Sequence, residues 1–404
     1  MATVRPFRAL RPPAQIAERV AAPPYDVIDT REARELARGN ADSFLHVSRP
    51  EVDLPEGSDE HGPAAHALAH ANLAAFEARG LLRADAEPRL YLYAQAAGAH
   101  RQVGLVACAA VREYLDDTIR RHENTRPDKE DDRTRHVEAL GAHDEPVFLT
   151  YRAVPAIDAA VGDATRAAPE VDFVTPDGVR HTVWALPREA GEHVATLFAG
   201  VPALYIADGH HRSAAAARVH ALRTGQPGEH DAFLAVLFPH DQVRILPYNR
   251  LVRDPAGRSP AELLAAIGRV MDVVPADSPE PEAPLSFGVR VGSRWYRARV
   301  RPGTFDARHS VDSLDCAIAQ DQLLAPLFGI ADPRSDRHID FVGGIRGPAE
   351  LERRMAAEGW SLALALYPTR VEQLIAVSDA GLLMPPKSTW FEPKLPSGLF
   401  VHRF

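Results

Sequence analysis

Cysteine is nearly absent, with Cys108 and Cys316 alone in 404 residues. Each sits in an apolar run, 105–111 and 314–319. Both are therefore expected as buried thiols, and neither belongs to a paired metal-ligand spacing. A chain of this length buries most of the surface its unfolded form exposes, so it needs no disulfide or metal staple. The Walker A pattern, the protein-kinase signature set, the G-x-S-x-G elbow and the Rossmann glycine fingerprint are also missing. A nucleotide, if bound, is held by another architecture. No stretch approaches the roughly 20 apolar residues of a membrane span, and the first residues, Met-Ala-Thr-Val-Arg-Pro-Phe-Arg, contain no signal core. A cytoplasmic protein without membrane partners is the expectation. The net charge of −9 and the lack of a helix-turn-helix signature argue against a general nucleic-acid binder, while leaving room for a local basic pocket.

What is present reads as an ordinary globular chain, 46% hydrophobic and 25% charged, long enough for two domains. Strand patterns at 90–95 and 102–111, and again at 285–291 and 294–301, form hairpins around Gly98 and around Gly292-Ser293. Further strands are expected at 146–152, 179–186, 204–207 and 232–238. Helices are expected at 31–38 with Thr30 as N-cap, and at 64–79, 213–222, 260–271, 313–324, 348–358 and 370–380. Hairpins outnumber strict strand–helix–strand units, so the fold class is α+β with a mixed sheet. Four prolines with acidic neighbours in 275–284 mark the best linker. It separates a core domain, 1–274, from a second α+β domain, 285–404. Residues 120–135 are mostly charged without apolar periodicity, the pattern of a mobile loop.

One constellation stands out: Asp208-Gly209-His210-His211-Arg212, between the apolar run 204–207 and the Ala-rich helix 213–222. A buried strand ends in an acid, a glycine turns the backbone, and two imidazoles and a guanidinium follow on the first helical turn. Helix N-termini carry unpaired N–H groups and partial positive charge, and arginine adds a fork suited to phosphate. Every element favours an anion. The plainer alternative is an Asp-Gly turn with Asp208 as N-cap. Zinc between His210 and His211 is disfavoured, because adjacent helical residues diverge by about 100°. The charged run supplies Lys129 and Arg133 as phosphate ligands and Glu123 as a base or Mg²⁺ ligand. Pro23-Pro24 aims Asp26, and Leu246-Pro247 is followed by Asn249 and Arg250 as further ligand contacts. His61, His66 and His70 lack a further ligand type and read as a solvated helix face.

Four segments together resemble one bacterial family, filed as domain of unknown function one thousand and fifteen: 23–28, 122–133, 207–212, and Met384-Pro-Pro-Lys-Ser-Thr-Trp-Phe-Glu-Pro-Lys-Leu-Pro-Ser-Gly-Leu399. That family is similar to the free serine kinases related to ParB and sulfiredoxin, where a Gly-x-His/Arg-Arg turn opens a helix and binds nucleotide phosphates. Gly209, His210, His211 and Arg212 match that turn. The resemblance implies a ParB/sulfiredoxin-like nucleotide-binding core. It further implies phosphoryl transfer from ATP or ADP, with Mg²⁺, to the hydroxyl of free serine or a related metabolite. In the kinases an acidic residue after the first strand takes the hydroxyl proton. Asp26 holds that position here, where they have Glu. Where sulfiredoxin has its catalytic Cys this chain has His210 or His211, which argues against sulfinate reduction.

The expectation is thus a nucleotide-dependent phosphotransferase with an alcohol acceptor. Asp26, Glu123 and Asp208 are its catalytic residues, and Asp208 and Glu123 its metal ligands. Gly209, His210, His211, Arg212, Lys129, Arg133, Asn249 and Arg250 hold the nucleotide. The alternative is a ParB-like regulator that binds or hydrolyses nucleotide without phosphorylating a metabolite. A homodimer is left open.

Overall fold

The computed structural model describes residues 1–223 and 225–404. The chain folds as two compact units, one of 1–121, 125–243 and 393–404, the other of 122–124 and 244–392. Among the described residues no helix is long and apolar enough to cross a membrane.

The first unit is built on a nine-stranded mixed sheet. Its elements include β1 (Tyr91–Ala97), β2 (His100–Ala110), α1 (Pro127–Leu140), β3 (Val147–Tyr151), β4 (Leu204–Asp208), α2 (His210–Leu222) and β5 (Ala232–Pro239). The sheet order runs Ile119–Arg120, β4, β3, β5, β2, β1, Arg180–Ala185, Val171–Val174, and Val4–Arg5 also pairs with β2. β5 lies parallel to β3, and β4 to Ile119–Arg120, while the other pairings are antiparallel. This is the expected α+β class, and the hairpin at Gly98 forms as read, with that glycine at φ +59°.

Alternation along the strands sets the layers. Val147, Leu149 and Tyr151 of β3, Leu204 and Ile206 of β4, and Phe233, Ala235 and Leu237 of β5 enter one core with Ile157, Val194 and Phe198. The last three come from helices Pro155–Ala164 and Arg188–Phe198. Neither helix is apparent from sequence, because the buried stripe is thin: Ile157 alone in one, Gly191, Val194 and Phe198 in the other. A separate core gathers Phe44, Leu73, Phe76, Leu140 and Val401 around helix Pro63–Ala78. Gly104 on β2 makes room for β5, since a Cβ there would lie 2.8 Å from both Phe238 and Val236.

Three local expectations need correction. The charged run 120–135 is not a loop, because from Pro127 onward it is α1, with proline in its first turn. Its buried face is polar: Asp132, Arg133, Thr134 and His136 point inward with Val137 and Leu140. Beside that face Arg218 of α2 reaches Asp131 at 2.5 Å and Glu130 at 3.4 Å. The helix at Thr30–Ala37 is capped by Asp29 rather than Thr30, in a reciprocal capping box with Glu32. His66 is not on a solvated face, since it is buried and lies 3.3 Å from Asp132, which His61 also approaches at 3.1 Å. Both cysteines are free and buried, as expected.

The second unit carries a six-stranded antiparallel sheet in the order Met271–Pro275, Arg294–Val300, Ser286–Val291, Leu362–Leu366, Tyr248–Val252, Ile339–Gly343. Leu251, Trp295, Val342, Leu351, Ala363 and Ala365 form its core. The proline-rich stretch 275–284, read as a linker, connects two strands of this sheet. The Ala276 N–H bonds the Trp295 carbonyl, and the Arg297 guanidinium donates to the carbonyls of Ser278 and Glu280.

Candidate functional site

The site in the first unit starts where β4 runs out. Asp208 is the last residue of the strand, and Gly209 follows at φ +97°, ψ 32°, as N-cap of α2. Only glycine adopts that conformation without strain. A Cβ at this position would also sit 3.0 Å from Arg212 Nε. The first turn of α2 has no acidic residue and no side-chain cap. Asp208 is therefore not the cap of a plain turn. Small residues after the turn, Ser213, Ala214, Ala215 and Ala216, are buried and let the helix sit close to the sheet.

Arg212 folds back under this turn. Its side chain is 8% exposed; it donates to the Pro146 carbonyl and lies 3.4 Å from Asp208 and 3.9 Å from Asp26. Asp208 also meets Lys394 at 3.4 Å. Burial opposes ionisation of Asp208, but Lys394, Arg212 and His210 overcome it and hold the carboxyl far below its usual range. Asp208 is thus an anion at any physiological pH, one quarter exposed, and Asp26 is one third exposed. The backbone of Lys394 is fixed from β1, where Gln95 donates to its carbonyl at 2.8 Å.

A second helix start lies beside the first. His211 Nε2 accepts the Arg126 N–H at 3.0 Å, and Arg126 is the N-cap of α1. The openings of α1 and α2 are thereby tied together, each with its partial positive charge. Lys129 stands half-buried on the first turn of α1. One turn on, Arg133 is buried, bonded to Asp132 at 2.8 and 3.0 Å, with its guanidinium 4.2 Å from the centre of the Tyr25 ring. Arg49 donates to the carbonyls of Tyr25 and Ile28, both at 2.7 Å, and fixes the turn carrying Asp26.

Six of the expected residues, Asp26, Arg133, Asp208, Gly209, His211 and Arg212, thus join one connected network. His210 is buried, and it is one of the groups that hold the Asp208 carboxyl down. Glu123, Asn249 and Arg250 belong to the second unit. There Asn249 is buried and accepts the Leu366 N–H at 3.1 Å. Arg250 is buried too, donating to the carbonyls of Tyr248 and Lys387. Glu123 is half-buried.

Two residues of the network are not evident from sequence. Lys394 lies near the chain's end, 186 residues from its partner. The signal that finds it is scarcity. Lys and Arg together number 46, yet only positions 129, 387 and 394 are lysine. Where arginine is the default cation, each lysine offers a compact ammonium instead of a planar fork. Glu145 is the other. Its Oε1 accepts the Tyr25 N–H at 3.0 Å, and its Oε2 is buried without a partner among the described residues. With Arg133, His136, His143, Asp144 and Arg212 it lines a cavity of about 10 Å³.

Burial pushes the Glu145 carboxyl up to about 8; Arg212 and Arg133 pull against it, and Asp144 and Asp26 add to it. An unfolded glutamate ionises near pH 4.3. Above that pH the unfolded chain loses this proton while the folded chain keeps it. The stability contribution of protonated Glu145 is therefore fully present below about pH 4.3 and is lost as pH rises to about 8. Urea midpoints measured across that window are expected to fall more steeply for the wild type than for Glu145→Gln. Equal slopes would show that Glu145 is ionised in the fold.

The family model described as "Protein of unknown function (DUF1015)" matches residues 4–317. Among solved structures, a free serine kinase in complex with AMP is similar at 14% identity and TM-score 0.38, covering 74% of this chain and 90% of its own. A conserved hypothetical protein from Pyrococcus furiosus aligns at 14% identity and TM-score 0.36, covering 74% and 95%. C-terminally truncated SbnI from Staphylococcus aureus aligns at 13% identity and TM-score 0.39, covering 74% and 87%. No curated protein matches the chain.

Proposed function

The chain belongs to the DUF1015 family, and from that premise we propose that it is a nucleotide-dependent kinase of a small hydroxy metabolite, with free serine or a related amino acid as acceptor. The observation carrying this reading is the pair of tied helix openings, α1 and α2, beside the ionised Asp208 and the partly exposed Asp26. Backbone N–H groups at a helix start bind phosphate oxygens without a dedicated side chain. The core is read as ParB/sulfiredoxin-like, in keeping with the resemblance of the 209–212 turn.

In this reading the N–H groups at the start of α2 and the Lys129 ammonium hold the nucleotide phosphates. Arg212 acts mainly from below, fixing Asp208 and Asp26 relative to the turn. Asp26 receives the acceptor's proton. The hydroxyl oxygen forms a bond to the terminal phosphorus, the bond from that phosphorus to the bridging oxygen breaks, and the shortened nucleotide leaves with the electron pair. Mg²⁺ takes oxygen ligands, usually one or two carboxylates plus phosphate. Asp208, an ionised and partly exposed carboxylate, fits as its protein ligand, and the ion would supply charge neutralisation on the phosphates. Positioning and electrostatics provide most of the acceleration in such transfers.

Phosphorus NMR on the purified protein with ATP or ADP, Mg²⁺ and a pool of hydroxy amino acids tests the reading. A phosphomonoester signal that requires the amino acid is expected. Inorganic phosphate alone would replace the kinase with a nucleotide-hydrolysing regulator, and an unchanged nucleotide spectrum would reject both.

A further inference from the structure

The far end of α2 carries a different set of donors. His220 lies in the last turn of the helix, and His230 and Asp231 lie in the short 3₁₀ turn that leads into β5. Nitrogen and oxygen atoms of the three side chains all come within 4.8 Å of one another. His220 Nδ1 is 2.8 Å from Asp231 Oδ1, and His230 Nε2 is 3.7 Å from the same oxygen. A tetrahedral zinc ion with ligands at about 2.0–2.1 Å separates its donors by about 3.3 Å, so these spacings bracket the requirement.

Three further observations point to a ligand rather than to a surface ion pair. His230 is buried, and its one polar approach among the described residues is the 3.7 Å contact to Asp231. Its ring is fixed edge-on to Phe404 at 6.2 Å, so a buried imidazole is held aimed at a carboxylate it does not reach. Asp231 is oriented by the Gly228 N–H, which donates to Oδ2 at 3.1 Å and leaves Oδ1 turned to the histidines. Such outer bonds orient metal ligands. The neighbouring acid, Glu229, faces elsewhere, toward His402 at 3.1 Å and Arg5 at 3.8 Å. Finally, the C-terminal end of a helix carries partial negative charge and favours a cation.

We propose that His220, His230 and Asp231 form a binding site for a divalent transition metal of the zinc type, which fastens the end of α2 to the start of β5. Two imidazoles and one carboxylate suit zinc, cobalt or nickel and not Mg²⁺, which takes oxygen donors. Three protein ligands leave one position for water. The site is separate in sequence and chemistry from the anion site at the other end of α2 and does not depend on the kinase reading.

Calorimetric titration of Zn²⁺, and absorbance titration of Co²⁺, into chelator-treated protein test this directly. One equivalent is expected to bind saturably, with a Co²⁺ visible spectrum of low coordination number and a raised Tm that tracks the free metal concentration. His230→Ala and the more conservative His220→Asn are each expected to weaken binding by at least about tenfold. Their circular dichroism without metal should match the parent. His61→Ala, which alters the separate cluster around Asp132, should leave the titration unchanged. Absence of saturable binding, or binding lost in His61→Ala and retained in His220→Asn, overturns the proposal.

Discussion

Arg212→Ala is expected to destabilise the first unit by about 3–5 kcal/mol, the usual cost of removing one member of a buried ion cluster. The side chain is 8% exposed, and its loss leaves the Pro146 carbonyl without its donor and Asp208 and Asp26 without their shared cation. The space would open under Gly209, which packs against the guanidinium. Turnover should fall by roughly 100-fold or more in whatever fraction remains folded, because Asp26 and Asp208 lose their common reference point. Arg212→Lys restores charge but not the fork that spans a carbonyl and two carboxylates, so it should recover only part of the stability. Urea unfolding and steady-state kinetics separate the two effects. A variant as stable as the parent would mean that the cluster contributes nothing net.

Asp26→Asn is the sharper test of chemistry. Asp26 is one third exposed and linked to Arg212 at 3.9 Å, so an isosteric amide disturbs the fold little. On the proposed role as acceptor of the substrate's proton, its loss is expected to lower kcat by about 10²–10⁴-fold, while nucleotide affinity, measured by calorimetry, stays close to that of the parent. If kcat is unchanged, proton removal belongs to another group. If nucleotide binding collapses along with kcat, Asp26 acts on the phosphates and not on the hydroxyl.

The turn 208–212 was readable because it is local. Strand, acid, glycine and helix follow one another, and each obeys a rule of short range. What surrounds the turn comes from far away in sequence. The Tyr25 N–H donates to the Glu145 carboxyl across 120 positions, and Lys394 closes on Asp208 from the C-terminal tail. No periodicity announces such pairings. The charged run failed in the opposite way. Apolar spacing is the main helix signal, and α1 buries Asp132, Arg133 and His136 in place of an apolar stripe, so the signal was missing although the helix is there. Prolines misled in the second unit: four of them in 275–284 suggest a break, whereas carbonyls freed from ladder bonding there are taken up by Arg297.

The shortage of lysine has a practical consequence. Reductive methylation with ¹³C-formaldehyde marks primary amines only, and this chain has three lysine side chains and its terminal amine. A carbon spectrum of the labelled protein therefore contains four methyl resonances instead of dozens. One belongs to Lys394 against Asp208 and another to Lys129 on the opening turn of α1. Arrival of a phosphate at the tied helix openings would displace those two lines and leave the terminal amine as an internal standard. Through this chemical scarcity the protein carries its own reporters into the site, without a single substitution.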